Sequence, residues 1–94
     1  MFLKIGMDVR WDAELSVQAM GRDPDAMDAV KQHSPAIRNA FLFLMSNLSF
    51  DDISTVEGKE QLRAEMLQEA QAILVRNTGE PGIEEIYFTS LVVQ

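Results

Sequence analysis

The start of the chain decides the fold, in the stretch MFLKIGMDVRWDAELSVQA, residues 1–19. Every odd position in it is apolar, and every even position from Lys4 to Gln18 is charged, polar or glycine. This alternation is typical of a β-strand with one buried and one solvated face. Strands usually end after five or six residues, so this pattern is unusually long. We predict a long N-terminal strand without a tight hairpin, because no Asn-Gly or Gly-Gly dipeptide interrupts it.

The length of this strand needs an explanation. Nineteen extended residues span about 60 Å, whereas a domain of this size has a radius of gyration of about 13 Å. Either the strand breaks, near Gly6 or at Trp11-Asp12, or a second molecule covers its overhang. In the second case residues 9–17 present an edge or a face to another copy of the chain. The predicted interface residues are Val9, Trp11, Ala13, Leu15 and Val17.

Three helices are predicted after this strand. Asp23 and Ser34 are each followed by proline, the arrangement of a cap before the first helical position. Ser54 and Glu57 match a capping box that opens the third helix, which ends near Arg76. The second helix carries an apolar stripe, with Leu42 and Phe43 outside it, so it is predicted to be buried on more than one side. The stripe residues are Ile37, Phe41, Leu44, Met45 and Leu48, and the buried face of the third helix is predicted to comprise Leu62, Met66, Ala70, Ile73 and Leu74.

The chain closes with IEEIYFTSLVVQ, residues 83–94, whose β-branched and aromatic residues favour a strand. Simple alternation places Ile86, Phe88 and Val92 on one face and Tyr87, Leu91 and Val93 on the other. The predicted fold class is α+β in the order β-α-α-α-β. A small sheet, made of the long N-terminal strand and the C-terminal strand, packs against three helices. Residues 1–94 are expected to form a single domain.

Composition and charge exclude several classes of function. Eight Lys and Arg stand against fifteen Asp and Glu, giving a net charge of −7, which is unfavourable for binding nucleic acid. The absence of cysteine excludes disulfides and thiolate metal sites. The longest apolar run, residues 40–45, is far shorter than the roughly 18 residues of a membrane-spanning helix, and no signal peptide is recognised.

No catalytic, cofactor-binding or metal site is predicted, and neither is a small-molecule substrate. The only histidine, His33, is expected at a helix end. Asp51 and Asp52 fall in a connection, where they are expected to cap it. Glu84 and Glu85 are neighbours in a strand and point to opposite faces, so they cannot act on one atom. A small hydrolase or metal-dependent enzyme that uses Asp51 or His33 stays open as an alternative from another class.

Three segments resemble the C-terminal domain of the flagellar basal-body-associated FliL family. They are SPAIRNAFLFLMSN, DISTVEGKEQLRAEML and the terminal IYFTSLVVQ, and FLKI is similar to the family's opening strand. The residues that match the family's pattern are Pro35, Ile37, Arg38, Ala40, Thr55, Glu57, Gly58, Lys59, Leu62, Arg63, Tyr87, Phe88, Thr89 and Gln94.

The resemblance implies a function that the residues alone do not. FliL proteins are single-span inner-membrane proteins whose periplasmic domain sits beside the stator units of the flagellar motor and supports torque, motility and chemotaxis. The domain is similar to the stomatin/prohibitin fold, whose members assemble into rings. We therefore expect a non-enzymatic periplasmic portion of a membrane-anchored protein, with Met1 internal or introduced. Its expected partners are further copies of itself, in a ring, and flagellar stator proteins. The alternative is a stomatin-like ring scaffold that is not tied to flagella.

Overall fold

A computed structural model of the protein describes residues 2–9, 13–49 and 51–93, with side chains described for residues 2–4, 16–49 and 51–89. A 3₁₀ turn, Asp51–Ile53, precedes the longest helix. The α+β class and the run of three helices between strands are confirmed. The elements are β1 (Phe2–Val9), β2 (Ala13–Met20), α1 (Pro24–Gln32), α2 (Ser34–Ser46), α3 (Val56–Thr78) and β3 (Glu85–Val93).

The N-terminal stretch forms two strands rather than one. β1 and β2 pair antiparallel from Phe2 opposite Met20 to Val9 opposite Ala13, and β3 pairs with the other edge of β2. Of the two explanations for the length of the stretch, the break is observed, since β1 ends at Val9 and β2 begins at Ala13; Trp11-Asp12 lies outside the described residues. The prediction against a tight hairpin is wrong. Asn-Gly and Gly-Gly are preferred in two-residue turns, whereas three residues separate Val9 from Ala13 here, so their absence was not informative.

The register explains why the alternation continues through both strands. Odd positions of β1 always stand opposite odd positions of β2, as in Leu3 with Ala19 and Ile5 with Val17. Shifting an antiparallel pair by one residue would place an apolar series opposite a polar one. Because three residues, an odd number, connect Val9 to Ala13, odd positions of one strand stand opposite odd positions of the other. One apolar series therefore runs along both strands on the same face of the sheet.

The three helices cover this odd-numbered face. Val17, Ala19 and Ile86 are fully buried, and Leu3 and Phe88 pack against them as half-buried neighbours. The five residues predicted for the buried face of α3 are all buried, which confirms its stripe. α2 lies against β1 and α3, and α3 packs on β3. The hydrophobic core therefore lies between the helices and the part of the sheet that includes residues 17, 19 and 86.

β3 does not alternate simply, because it contains a β-bulge. Val17 is opposite Phe88, but Ser16 is opposite Ser90, so Thr89 is the extra residue. The Thr89 hydroxyl donates a hydrogen bond to the Ser16 carbonyl at 3.2 Å. A bulge shifts the side-chain phase by one residue. Leu91 and Val93 therefore become register partners of Leu15 and Ala13, and the prediction that grouped Val92 with Ile86 and Phe88 is wrong.

Two helix starts differ from the prediction by one residue. The helix α1 begins as expected, with the Asp23 carboxylate accepting from the Asp25 N–H. In α2 the cap position is His33, not Ser34, and it makes no side-chain capping bond. In α3 the cap is Thr55, whose hydroxyl accepts from the Gly58 N–H at 3.0 Å. Ser54 instead donates to the Asp51 carbonyl within the 3₁₀ turn.

α2 packs into the core along its stripe, and Leu42, outside the stripe, is half-buried against the core. Ile37, Phe41 and Met45, spaced four residues apart, are buried, as the stripe predicted. Phe43 is 70% exposed, which corrects its prediction as a core residue. At 100° per residue Phe43 lies opposite the middle of that stripe, so the face it occupies points away from the core.

Candidate interaction surface

The five predicted interface residues fall into three groups. Val17 has no exposed surface, so it packs in the core of its own chain. Trp11 lies outside the described residues. The backbone of Val9, Ala13 and Leu15 is described, and it places Val9 opposite Ala13 and Leu15 between Met7 and Leu91. Contact of Val9, Trp11, Ala13 and Leu15 with another molecule stays a prediction.

The other face of the sheet is open where its side chains are described. Phe2 is 62% exposed and Tyr87 is 43% exposed, and Lys4 and Thr89 are exposed as well. In the sequence, this surface is indicated by Phe2, which is apolar at an even position. The even positions from Lys4 onward are charged, polar or glycine.

A group of charged side chains joins the long helix to the last strand. Arg63, on α3, donates to the carboxylates of Glu60 and Glu85, with its Nε 3.2 Å from Glu60 Oε1. About two turns further on, Gln71 Nε2 donates to the Ile83 carbonyl at 2.8 Å. The Arg63 side chain is only about a quarter exposed, at 26%. These bonds fix the start of β3 against α3.

Replacing Arg63 by glutamine should lower the free energy of unfolding at neutral pH by about 1–2 kcal/mol. The substitution removes charge-assisted hydrogen bonds to two elements from a partly buried position. Urea unfolding followed by circular dichroism measures it. The matched control is Arg22→Gln, because the Arg22–Glu84 pair is 86% and 45% exposed and such pairs contribute little. Equal losses of unfolding free energy in the two variants would contradict the conclusion that Arg63 joins α3 to β3.

The hydrogen-bonded pair of Arg63 and Glu60 predicts how the stability of the fold depends on pH. The hydrogen bond from Arg63 lowers the pKa of the Glu60 carboxyl below its ordinary value of 4.5. A carboxyl with a lowered folded-state pKa stabilises the fold above its unfolded pKa, and this contribution is lost as the pH falls through the folded value. The stability difference between the wild type and Arg63→Gln should therefore shrink as the pH falls below 4.5. A difference that stays constant down to acid unfolding would argue against it.

The residues of the enzymatic alternative do not come together as a site in the described structure. His33 is half-buried at the junction of α1 and α2, where its backbone N–H donates a hydrogen bond to the Ala29 carbonyl. The Asp52 carboxylate accepts from the N–H and the hydroxyl of Ser49, at 2.8 and 3.1 Å, as expected for a residue that caps a turn. Asp51 is exposed at the start of the 3₁₀ turn.

The other two adjacent carboxylates, Glu84 and Glu85, also have structural partners. Glu84 pairs with Arg22, and Glu85 pairs with Arg63. Among the described residues no group of three His, Asp or Glu side chains is close enough together to hold a metal ion. A surface depression of about 400 Å³ lies beside the Arg22–Glu84 pair, but its only cation is already paired.

Comparison with known proteins decides the family. The family model described as "Flagellar basal body-associated protein FliL" matches residues 2–94. The chain belongs to the FliL family. It is also similar to the "Flagellar protein FliL" of Aquifex aeolicus (strain VF5), with 32% identity over 82 residues. That match covers 87% of this chain and 48% of the relative, so the chain spans about half the length of the curated relative.

The family assignment agrees with the resemblance found in the sequence. The description of the family associates FliL with the flagellar basal body. In the described residues, no helix is both long enough and apolar enough to cross a membrane.

The motif residues that carry the family resemblance build the fold. Thr55 caps α3, Arg63 ties α3 to β3, and Gly58 allows close contact with the preceding turn. A Cβ atom on Gly58 would lie 1.8 Å from the Asp52 carbonyl oxygen, so only glycine fits there. Local structure therefore explains Thr55, Gly58 and Arg63.

Proposed function

We propose that this FliL-family chain is a non-enzymatic assembly module of the flagellar basal body. It associates with further copies of itself, in a ring, and with the stator of the motor, and it supports torque generation and swimming. Residues 1–94 act as one periplasmic domain of a protein that is anchored in the inner membrane. The observation that carries the proposal is the family match across residues 2–94.

The geometry supports a binding role rather than a chemical one. Polar groups in the described residues serve caps, turns and ion pairs. The sheet, in contrast, has an exposed aromatic face and a hairpin whose apolar series extends from position 3 to position 19. Val9, Trp11, Ala13 and Leu15 belong to that series and are proposed to contact the neighbouring molecule. A head-to-tail contact of this kind gives a ring if its rotation closes.

The mechanism is a shift of population. A module that binds the active state of a stator more tightly than the inactive state raises the fraction of active stators. The size of this shift is set by the difference between the two affinities. No catalytic group is required for this. The effect should be largest when the motor works against a high load, because the active state must then be held for longer.

Serine replacement of Trp11 and Leu15 should impair swimming, most visibly in viscous medium, and should weaken recovery of stator proteins with the full-length protein. The matched control is Val75→Ser, because Val75 is 49% exposed on the outer side of α3 and its loss should leave swimming unchanged. The domain should remain folded in all variants. Normal swimming of a strain that lacks the domain would refute the proposal, whereas lost swimming with unchanged stator recovery would favour a scaffold that does not bind stators.

A further inference from the structure

The outer edge of β1 is an open strand edge. β2 occupies the centre of the sheet, so β1 and β3 each have one edge without a partner among the described strands. The two edges differ. β3 is interrupted by the bulge at Thr89, whereas β1 pairs with β2 without irregularity over eight residues and contains no proline. Natural proteins usually protect open edges with bulges, prolines or charges, because a regular edge is a template for another strand.

The sequence of β1 complements itself. Lys4 and Asp8 are each two positions from Gly6. If two β1 strands pair antiparallel with Gly6 opposite Gly6, position 4 stands opposite position 8 of the second copy, on both sides of the two-fold axis. The apolar positions 3, 5, 7 and 9 then stand opposite one another. Opposite charges at facing positions stabilise an antiparallel pair.

No other register that pairs most of β1 has this property, since centring the pair on Val9 places Asp8 opposite Arg10 but leaves nearly all of both strands unpaired. Centring the pair on Lys4 or on Asp8 places like charges opposite each other, and centring it on Met7 places Lys4 opposite Arg10. Centring it on Ile5 leaves Lys4 opposite Gly6. A shift by a single residue places apolar positions opposite polar ones, which disrupts both faces. One register therefore satisfies both the charges and the alternation.

We propose that two copies of this chain pair through the β1 edges, antiparallel and centred on Gly6, into a continuous six-stranded sheet. The contact is isologous, since the same strand serves on both sides, and backbone hydrogen bonds provide most of the binding, as in other cases of strand addition. The two-fold axis is perpendicular to the sheet, so both helical layers lie on the same side. This inference is independent of the flagellar role, because it concerns the isolated domain.

Single cysteines test the register directly, because the chain has no cysteine of its own. In the proposed dimer the two Gly6 Cα atoms lie about 4.5–5.5 Å apart, within the range of a disulfide. Gly6→Cys should therefore form covalent dimers rapidly with a mild oxidant. The matched control is Ser16→Cys, because Ser16 is the register partner of Gly6 on the central strand. Two Ser16 positions would be about 14 Å apart, too far for a bond.

Charge exchange gives a second, independent readout. Lys4→Asp or Asp8→Lys alone should raise the dimer dissociation constant about tenfold or more, because each replaces two attractive pairs by repulsive ones. The double variant with both changes should return it towards the wild-type value. Sedimentation equilibrium measures all four proteins. Cross-linking of Gly6→Cys no faster than Ser16→Cys, or no rescue in the double variant, would overturn the inference. If swimming still depends on the domain after such a result, the proposed function is not contradicted.

Discussion

Replacing Phe41 by alanine should lower the free energy of unfolding by about 3–5 kcal/mol. Phe41 is fully buried and is among the largest side chains in the core, between the sheet and the long helix. The substitution removes its buried apolar surface and leaves a cavity that the surrounding helices fill only in part. A domain of this size has a total stability of about 5–14 kcal/mol, so a large fraction would be lost. Urea unfolding monitored by circular dichroism gives the value.

Phe43→Ala is the matched control for this prediction. It removes the same side chain two residues further along the same helix, at a position that is 70% exposed. Surface substitutions of this kind usually change stability by less than about 0.5 kcal/mol. The contrast between the two variants tests which face of α2 packs on the sheet. Comparable losses for both would mean that Phe43 is buried and that this orientation is wrong.

Replacing Gly58 by alanine should also be strongly destabilising, by about 3 kcal/mol or more. Helix propensity alone predicts the opposite sign, since alanine is favoured over glycine by about 1 kcal/mol within helices. The structure reverses the expectation, because the added Cβ would lie 1.8 Å from the Asp52 carbonyl oxygen. That oxygen belongs to the backbone, so relief requires the 3₁₀ turn to move away from α3. Thermal and urea unfolding measure the loss.

Gly79→Ala distinguishes this steric cost from the cost of glycine conformation. Gly79 ends α3 with φ of 86°, and nothing lies within 4 Å of the position of an added Cβ. Alanine there should cost only about 1–2 kcal/mol, from the left-handed backbone. We expect Gly58→Ala to be clearly the more destabilising of the two. A stabilising effect of Gly58→Ala would show that the turn and the helix do not meet as described.

Local patterns in the sequence were sufficient to predict the helices. The stripe of α3 needs only the 3.6-residue period, and its five predicted core residues are all buried. The cap at Asp23 follows from a residue type with a strong preference for that position. α3 was predicted to end near Arg76 and continues to Thr78, where Gly79 in the left-handed conformation is its C-cap. Each of these features depends on neighbours within about one turn of helix. That is why a single sequence is enough for them.

Features that depend on distant residues were not predictable in the same way. One long strand and two paired strands give the same alternation when an odd number of residues connects them, so the hairpin could not be recognised by period. The bulge at Thr89 depends on the register with β2, more than seventy residues earlier. Arg63 donates a hydrogen bond to Glu85, which lies 22 residues later in the sequence. Phe43 is apolar, but its position on α2 faces away from the core.

The candidate interaction surface was predicted only in part. The alternating pattern drew attention to residues 9–17, and Val17 proved to be part of the core of its own chain. A surface that binds another molecule is defined by what that molecule contributes, which one sequence does not contain. The self-complementarity of β1 became visible only after the sheet order showed that this strand has an open edge.

The most direct test of the assembly module is the molar mass of the purified domain in solution, measured by light scattering over a wide concentration range. We expect the mass to rise with concentration above that of one chain of 10.6 kDa, and to rise less for the Trp11 and Leu15 serine variant. A mass that stays at one chain over the whole range would contradict self-association.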